Sequence, residues 1–160
     1  MKKIIIKTKE VEENKKSKEW DDKLIDKKNH ISFVNMLYLN TEFAGSKKLQ
    51  SELTKKLSNY KQQDKRKKRY SKDKFITLES LLEKLVSTKI RCNYCKEQCL
   101  IFYKNVREQK MWTLDRIDNN IGHNKDNVVI SCLGCNLQKR RRGEEAFKFM
   151  KQMVITKKIF

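Results

Sequence analysis

The 160-residue chain carries 39 Lys and Arg against 20 Asp and Glu, a formal net charge of +19, and 38% of its residues are hydrophobic. That length suits one ordinary domain or a small domain with extensions, and the apolar share lies below the about 45–50% of a typical globular chain, so part of the sequence feeds no core. No apolar run approaches the about 20 residues of a membrane span, and Ile4 to Ile6 after Met1-Lys2-Lys3 is too short for a signal-peptide core. The absence of proline and the four glycines exclude a collagen-like or Pro-rich chain and speak against a loop-rich all-β protein. The expectation is an intracellular protein, neither secreted nor membrane-embedded, whose five cysteines are thiols or metal ligands rather than disulfides. A charge of +19 calls for a polyanionic partner, nucleic acid first and an anionic membrane surface second.

Three segments follow from the chain order. Residues 1–45 form an N-terminal arm with an optional short strand at Lys3–Lys7, then scattered apolar residues from Trp20 to Leu39 that allow a helix. Glu42-Phe43-Ala44-Gly45 reads as a break. Residues 46–75 form a basic helical segment, with 12 basic against 3 acidic residues. Ser46 is positioned to cap it. Leu49, Leu53, Leu57 and Tyr60 make one stripe at helical spacing, and the run Lys65, Arg66, Lys67, Lys68 and Arg69 offers phosphate contacts or a solvated helix end. Residues 76–160 open with a second helix, capped by Thr77 and carrying Leu78, Leu81, Leu82, Leu85 and Val86 on one core-facing side.

Cys92-Asn93-Tyr94-Cys95 and Cys132-Leu133-Gly134-Cys135 are two CxxC pairs. Two thiolates three residues apart can point at one ion from a tight turn, and two such pairs complete the tetrahedral S₄ shell that suits Zn²⁺. The expectation is a structural zinc on Cys92, Cys95, Cys132 and Cys135, since four thiolates leave no open position for water. Cys99 is left as a packed thiol or as a substitute for Cys95.

Between and after the pairs, Met111 to Ile117 reads as a strand, Asp118 to Asp126 as a polar loop, Asn127 to Ser131 as a second strand, and a helix starts near Cys132 with no breaker before Gly143. A short amphipathic helix follows over Glu144 to Met153, with Phe147, Met150 and Val154 inward. Tyr94 and Trp112 read as core, with base stacking as the alternative. His30 has no motif around it and reads as structural.

Leu114-Asp115-Arg116-Ile117-Asp118-Asn119, then Gly122-His123-Asn124-Lys125-Asp126-Asn127-Val128, then Cys132-x-x-Cys135-Asn136-x-x-Lys139 resembles the HNH (ββα-metal) endonuclease motif. The two CxxC pairs look like the zinc-stapled branch that includes phage recombination endonucleases. The wider stretch from about Asn59 to Arg142 also resembles HNH-like proteins encoded by giant DNA viruses, which would place the chain in a host cytoplasm or nucleus. The resemblance implies an α+β fold, a small zinc-stapled ββα-metal domain preceded by basic helices.

It also implies a chemistry: hydrolysis of phosphodiester bonds in DNA, RNA not being excluded, with one Mg²⁺ or Mn²⁺ held by Asp115 and Asn136. Asn127 matches the middle Asn that braces the loop. The family usually has His after the acidic residue as general base; here Arg116 stands there, and a guanidinium with a pKa above about 12 takes no proton at neutral pH. Arg116 instead suits a phosphate. The base is then His123, Asp118 or a metal-bound hydroxide. Lys139, Arg140, Arg141 and Arg142 form a cationic edge beside the site, for phosphates or for the helix dipole. The rival expectation is a zinc-containing nucleic-acid-binding protein that keeps the scaffold without the chemistry. A dimer through the leucine stripe is a third possibility, and it leaves the Asp115–Asn136 pair without a purpose.

Overall fold

Capping residues and leucine spacing set the helices. The computed structural model describes residues 18–154, so the strand considered at Lys3–Lys7 lies outside the described residues. Asp21 caps α1 (Asp22–Ile25) and Asp26 caps α2 (Lys27–Tyr38), each by accepting an N–H two residues on. Residues 18–45 are therefore more than an arm: Leu24, His30 and Val34 are buried, and α2 packs against α4. The cap of α3 (Ser46–Arg66) is Gly45 rather than Ser46. Gly45 has φ +106°, a backbone conformation that favours glycine, and a Cβ there would press on Leu24 Cδ2, 2.6 Å away.

Leu49, Leu53 and Leu57 of α3 are buried in one core with Leu81, Leu82 and Leu85 of α4 (Leu78–Ser87), whose cap Thr77 accepts the Ser80 N–H. Two antiparallel strands follow, β1 (Trp112–Arg116) and β2 (Val128–Cys132), in a register that sets Trp112 opposite Cys132 and Asp115 opposite Val129. A single 3₁₀ turn, Lys125–Asn127, leads into β2. Helix α5 (Leu133–Lys139) starts on Cys132 and stops at Arg140, which has φ +51°, well before Gly143. Helix α6 (Glu144–Gln152) turns only Phe147 fully inward; Met150 and Val154, expected inward, are exposed because the helix ends at the surface. The architecture is α+β, six helices and one two-stranded sheet among the described residues. One apolar cluster runs from Leu24 to Phe147 and so joins all three sequence segments. No helix among the described residues is long and apolar enough to cross a membrane.

Helix α3 is the rail against which the sheet sits. Lys56 donates to the Trp112 carbonyl and lies 4.2 Å over the Trp112 ring, and burial pushes its ammonium down to about 7. One turn on, the Tyr60 hydroxyl accepts the Leu114 N–H at 3.1 Å. One turn further, Asp64 is buried, with 1% of its surface exposed.

His30 is a fixed neutral imidazole. Its Nε2 bonds the Leu24 carbonyl at 2.9 Å and its Nδ1 accepts the Ile101 N–H at 3.2 Å. A second proton would set two donors face to face, and burial lowers its pKa from 6.5. A folded-state pKa below the unfolded one means the unfolded chain binds the proton first. The stability is therefore intact above about pH 6.5 and lost as pH falls below it. Thermal midpoints from pH 7.5 to 5.5 should fall for the wild type and fall less steeply for His30→Gln. Parallel curves for the two proteins would contradict this role.

Candidate functional site

The four CxxC sulfurs lie within 4.8 Å of one another. A tetrahedral shell with Zn–S bonds of about 2.3 Å sets its sulfurs about 3.8 Å apart, and Cys95 Sγ lies 4.0 Å from Cys132 Sγ. The first pair sits in a tight knuckle: the Cys92 carbonyl accepts the Lys96 N–H, the Cys92 N–H donates to Glu97, and Lys96 takes φ +62°. The second pair opens α5. The N–H groups of Tyr94 and Cys135 each point 3.4 Å to a sulfur, those of Cys92 and Cys132. The neighbouring Cys132 thiol, with the backbone N–H groups of Cys132, Cys95 and Tyr94, lowers the Cys92 pKa, while Cys132, donating to Cys92, and buried Cys135 are raised. Four sulfurs packed so closely could hold a metal ion, and the donor set fits one soft enough for sulfur. Cys99 is buried outside the cluster and is no substitute for Cys95.

The knuckle is tied to the sheet through the Asn93 N–H, which donates to Ile130 at 2.8 Å. The cysteine cluster thereby ties the knuckle to the junction of β2 and α5. Asp115 sits on β1 with 5% of its surface exposed. The Tyr94 hydroxyl donates to its Oδ2, and the Lys139 ammonium lies 3.0 Å from the same oxygen and 2.7 Å from the Arg116 carbonyl. Burial and the Asp115 carboxylate raise the Tyr94 pKa, so the phenol keeps its proton. Asp115 Oδ1 has no hydrogen-bond partner among the described residues.

Asn136 reaches β1 from α5. Its Nδ2 donates to Thr113 Oγ1 at 3.0 Å and to the Leu114 carbonyl at 3.4 Å. The Leu114 carbonyl is an acceptor only, which fixes the amide's orientation. Asn136 Oδ1 then has no partner among the described residues. Thr113 and Asp115 lie on one face of the strand, two residues apart, so Asn136 is anchored beside the carboxylate.

Arg116 turns back over the strand-joining loop, its Nη1 donating to the carbonyls of Asn119 at 3.1 Å and Ile121 at 3.4 Å. Asn127 braces that loop from within: its Oδ1 accepts the Asp118 N–H, and its Nδ2 donates to the carbonyls of Asp118 and Gly122. Asp118 Oδ1 accepts the Asn120 N–H, an Asx turn that commits it to the loop.

No family model, curated protein or solved structure matches this chain.

His123 is buried, and both oxygens of Asp64 hold it: Oδ2 accepts its backbone N–H at 2.6 Å and Oδ1 meets its Nδ1 at 2.8 Å. The Tyr60 ring lies 4.4 Å from the imidazole, centroid to centroid. Burial lowers the His123 pKa, Asp64 opposes that, and the charges of Arg116 and Asp115 also reach the ring. Gly122 makes this approach possible, since a Cβ there would stand 2.6 Å from the Arg69 carbonyl and 2.7 Å from Asp64 Oδ2.

Around this centre the cations divide. Lys65, Arg66, Lys67 and Lys68 are exposed at the end of α3 and Arg69 is half-buried; Arg140, Arg141 and Arg142 are exposed after α5. Lys139 departs from the basic edge expected at residues 139–142. It is fully buried with its ammonium on Asp115, because α5 ends there and the last turn faces the strand. Trp112 and Tyr94 are both buried, which removes them as stacking platforms.

Proposed function

We propose that the chain is a metal-dependent endonuclease of the HNH type, cutting phosphodiester bonds in DNA, with a structural Zn²⁺ on Cys92, Cys95, Cys132 and Cys135. The observation that carries the reading is the pair of oxygens, Asp115 Oδ1 and Asn136 Oδ1, left without partners among the described residues on adjoining elements, while Asp115 Oδ2 and Asn136 Nδ2 are both engaged. Hard oxygen donors of this kind suit Mg²⁺ or Mn²⁺. Such an ion, when bound, neutralises charge on the scissile phosphate and its leaving oxygen.

The chain's own residues supply the rest. Arg116 presents the guanidinium nitrogens that the loop carbonyls do not occupy, a fork suited to a phosphate. His123, kept neutral by burial, accepts the proton of the attacking water. The exposed cations of residues 65–68 and 140–142 hold the backbone on either side; these contacts give affinity and salt dependence without base preference.

One observation favours a second reading. The Lys139 ammonium already balances Asp115, as suits a scaffold that binds nucleic acid without cutting it. Incubation with supercoiled, linear and branched DNA, in Mg²⁺, in Mn²⁺ and in EDTA, separates the two. Cleavage that EDTA abolishes supports the nuclease. Salt-sensitive binding with no cleavage of any substrate supports the binder.

A further inference from the structure

We propose that Asp64 is the positioning residue for His123: from helix α3 it fixes the imidazole as the Nδ1–H tautomer and leaves Nε2 as the acceptor for a proton. The inference rests on the nuclease reading for its purpose, and its geometry stands apart from that reading. Both carboxylate oxygens are used on one histidine, one on the backbone and one on the ring. Ring position and ring rotation are therefore set together. A carboxylate accepts only, so the hydrogen between Asp64 and Nδ1 belongs to the imidazole. Nε2 has no partner among the described residues.

The surroundings keep this arrangement tight. Asp64 extends the α3 face that carries Lys56 and Tyr60 against β1, so the helix holding the sheet also holds the histidine. Gly122 lets the loop close onto Asp64, and the Arg69 N–H donates to the Asp64 carbonyl at 2.8 Å. Tyr60 from α3 packs on the ring, and the charges of Arg116 and Asp115 on β1 reach it. The arrangement supplies what Arg116 cannot, a neutral base with a defined lone pair, from the loop instead of the strand.

Asp64→Asn keeps the shape and offers an N–H₂ where one acceptor stood. The expected result is a fall in cleavage rate of about 10²–10⁴-fold, the range for losing a general base or its tautomer. Zinc content and thermal midpoint check that the variant is folded. The wild-type rate should stay level from neutral pH to below pH 6.5 and then drop as the imidazole gains its proton, and Asp64→Asn should move or flatten that limb. His123→Ala should lose rate by a similar factor and regain part of it with added imidazole. Independently of activity, ¹⁵N signals of the zinc-loaded wild type at pH 7.5 should show His123 Nδ1 protonated and Nε2 bare. An Nε2–H tautomer overturns the proposal. So does an Asp64→Asn enzyme that cleaves within about twofold of wild type with the same pH profile. A wild type that cuts no DNA yet shows the Nδ1–H tautomer overturns the nuclease reading and leaves the positioning role standing.

Discussion

Replacement of Lys139 by methionine is expected to destabilise the fold by about 3–5 kcal/mol, the range for breaking a buried ion pair on one side. Lys139 has no exposed surface, and its ammonium joins Asp115 to the Arg116 carbonyl. Methionine keeps the volume of the stem and removes the charge, so the loss reports on the unpaired Asp115. Placing Asn at residue 115 as well removes the stranded carboxylate, and the double variant should recover much of the loss. Denaturant midpoints of the four proteins form a cycle whose coupling term measures the pair. Independent, additive effects would show that the pair is not coupled. The nuclease reading adds a second expectation. Lys139 and a divalent ion compete for one carboxylate, so Mg²⁺ or Mn²⁺ should stabilise Lys139→Met more than wild type and leave the double variant unchanged.

Loss of the metal from the cysteine cluster should have the larger structural effect. Structural zinc binds such sites with apparent free energies of about 10–16 kcal/mol, as large as the about 5–15 kcal/mol total stability of an ordinary domain. Cys132→Ser removes a ligand at the junction of β2 and α5, opposite Trp112 in the sheet register. The variant, or the wild type treated with a strong chelator, should lose the near-ultraviolet signal of Trp112 and cooperative melting together. Metal analysis of the purified wild type should find about one zinc per chain, the stoichiometry of a single S₄ site. Folded, cooperatively melting protein without metal would contradict the assignment.

The parts legible in the sequence are those whose spacing dictates geometry. Paired CxxC motifs place four sulfurs together whatever surrounds them, and the leucine periods of α3 and α4 identify their buried sides. Asp64 was hidden by its neighbours. It opens the basic run and reads as part of it, yet it continues the stripe Leu49, Leu53, Leu57, Tyr60 by four more residues. A carboxylate on a buried stripe needs a partner, and that rule points to it without naming His123. Lys139 was hidden in the opposite way. Its basic neighbours suggest one continuous cationic edge, but the turn at Arg140 divides the run, leaving the first residue inside and the next three outside. Helix ends decide such cases, and their left-handed residues, Arg140 among them, carry no glycine to mark them.

The decisive measurement is cleavage of supercoiled DNA in Mg²⁺ or Mn²⁺ by wild type, Asp115→Ala and Asn136→Ala, each confirmed to hold zinc. The account predicts nicking by the wild type that EDTA stops, and its loss in both variants by at least about 10²-fold, as expected where metal ligands are removed. Cleavage that survives both substitutions would contradict it.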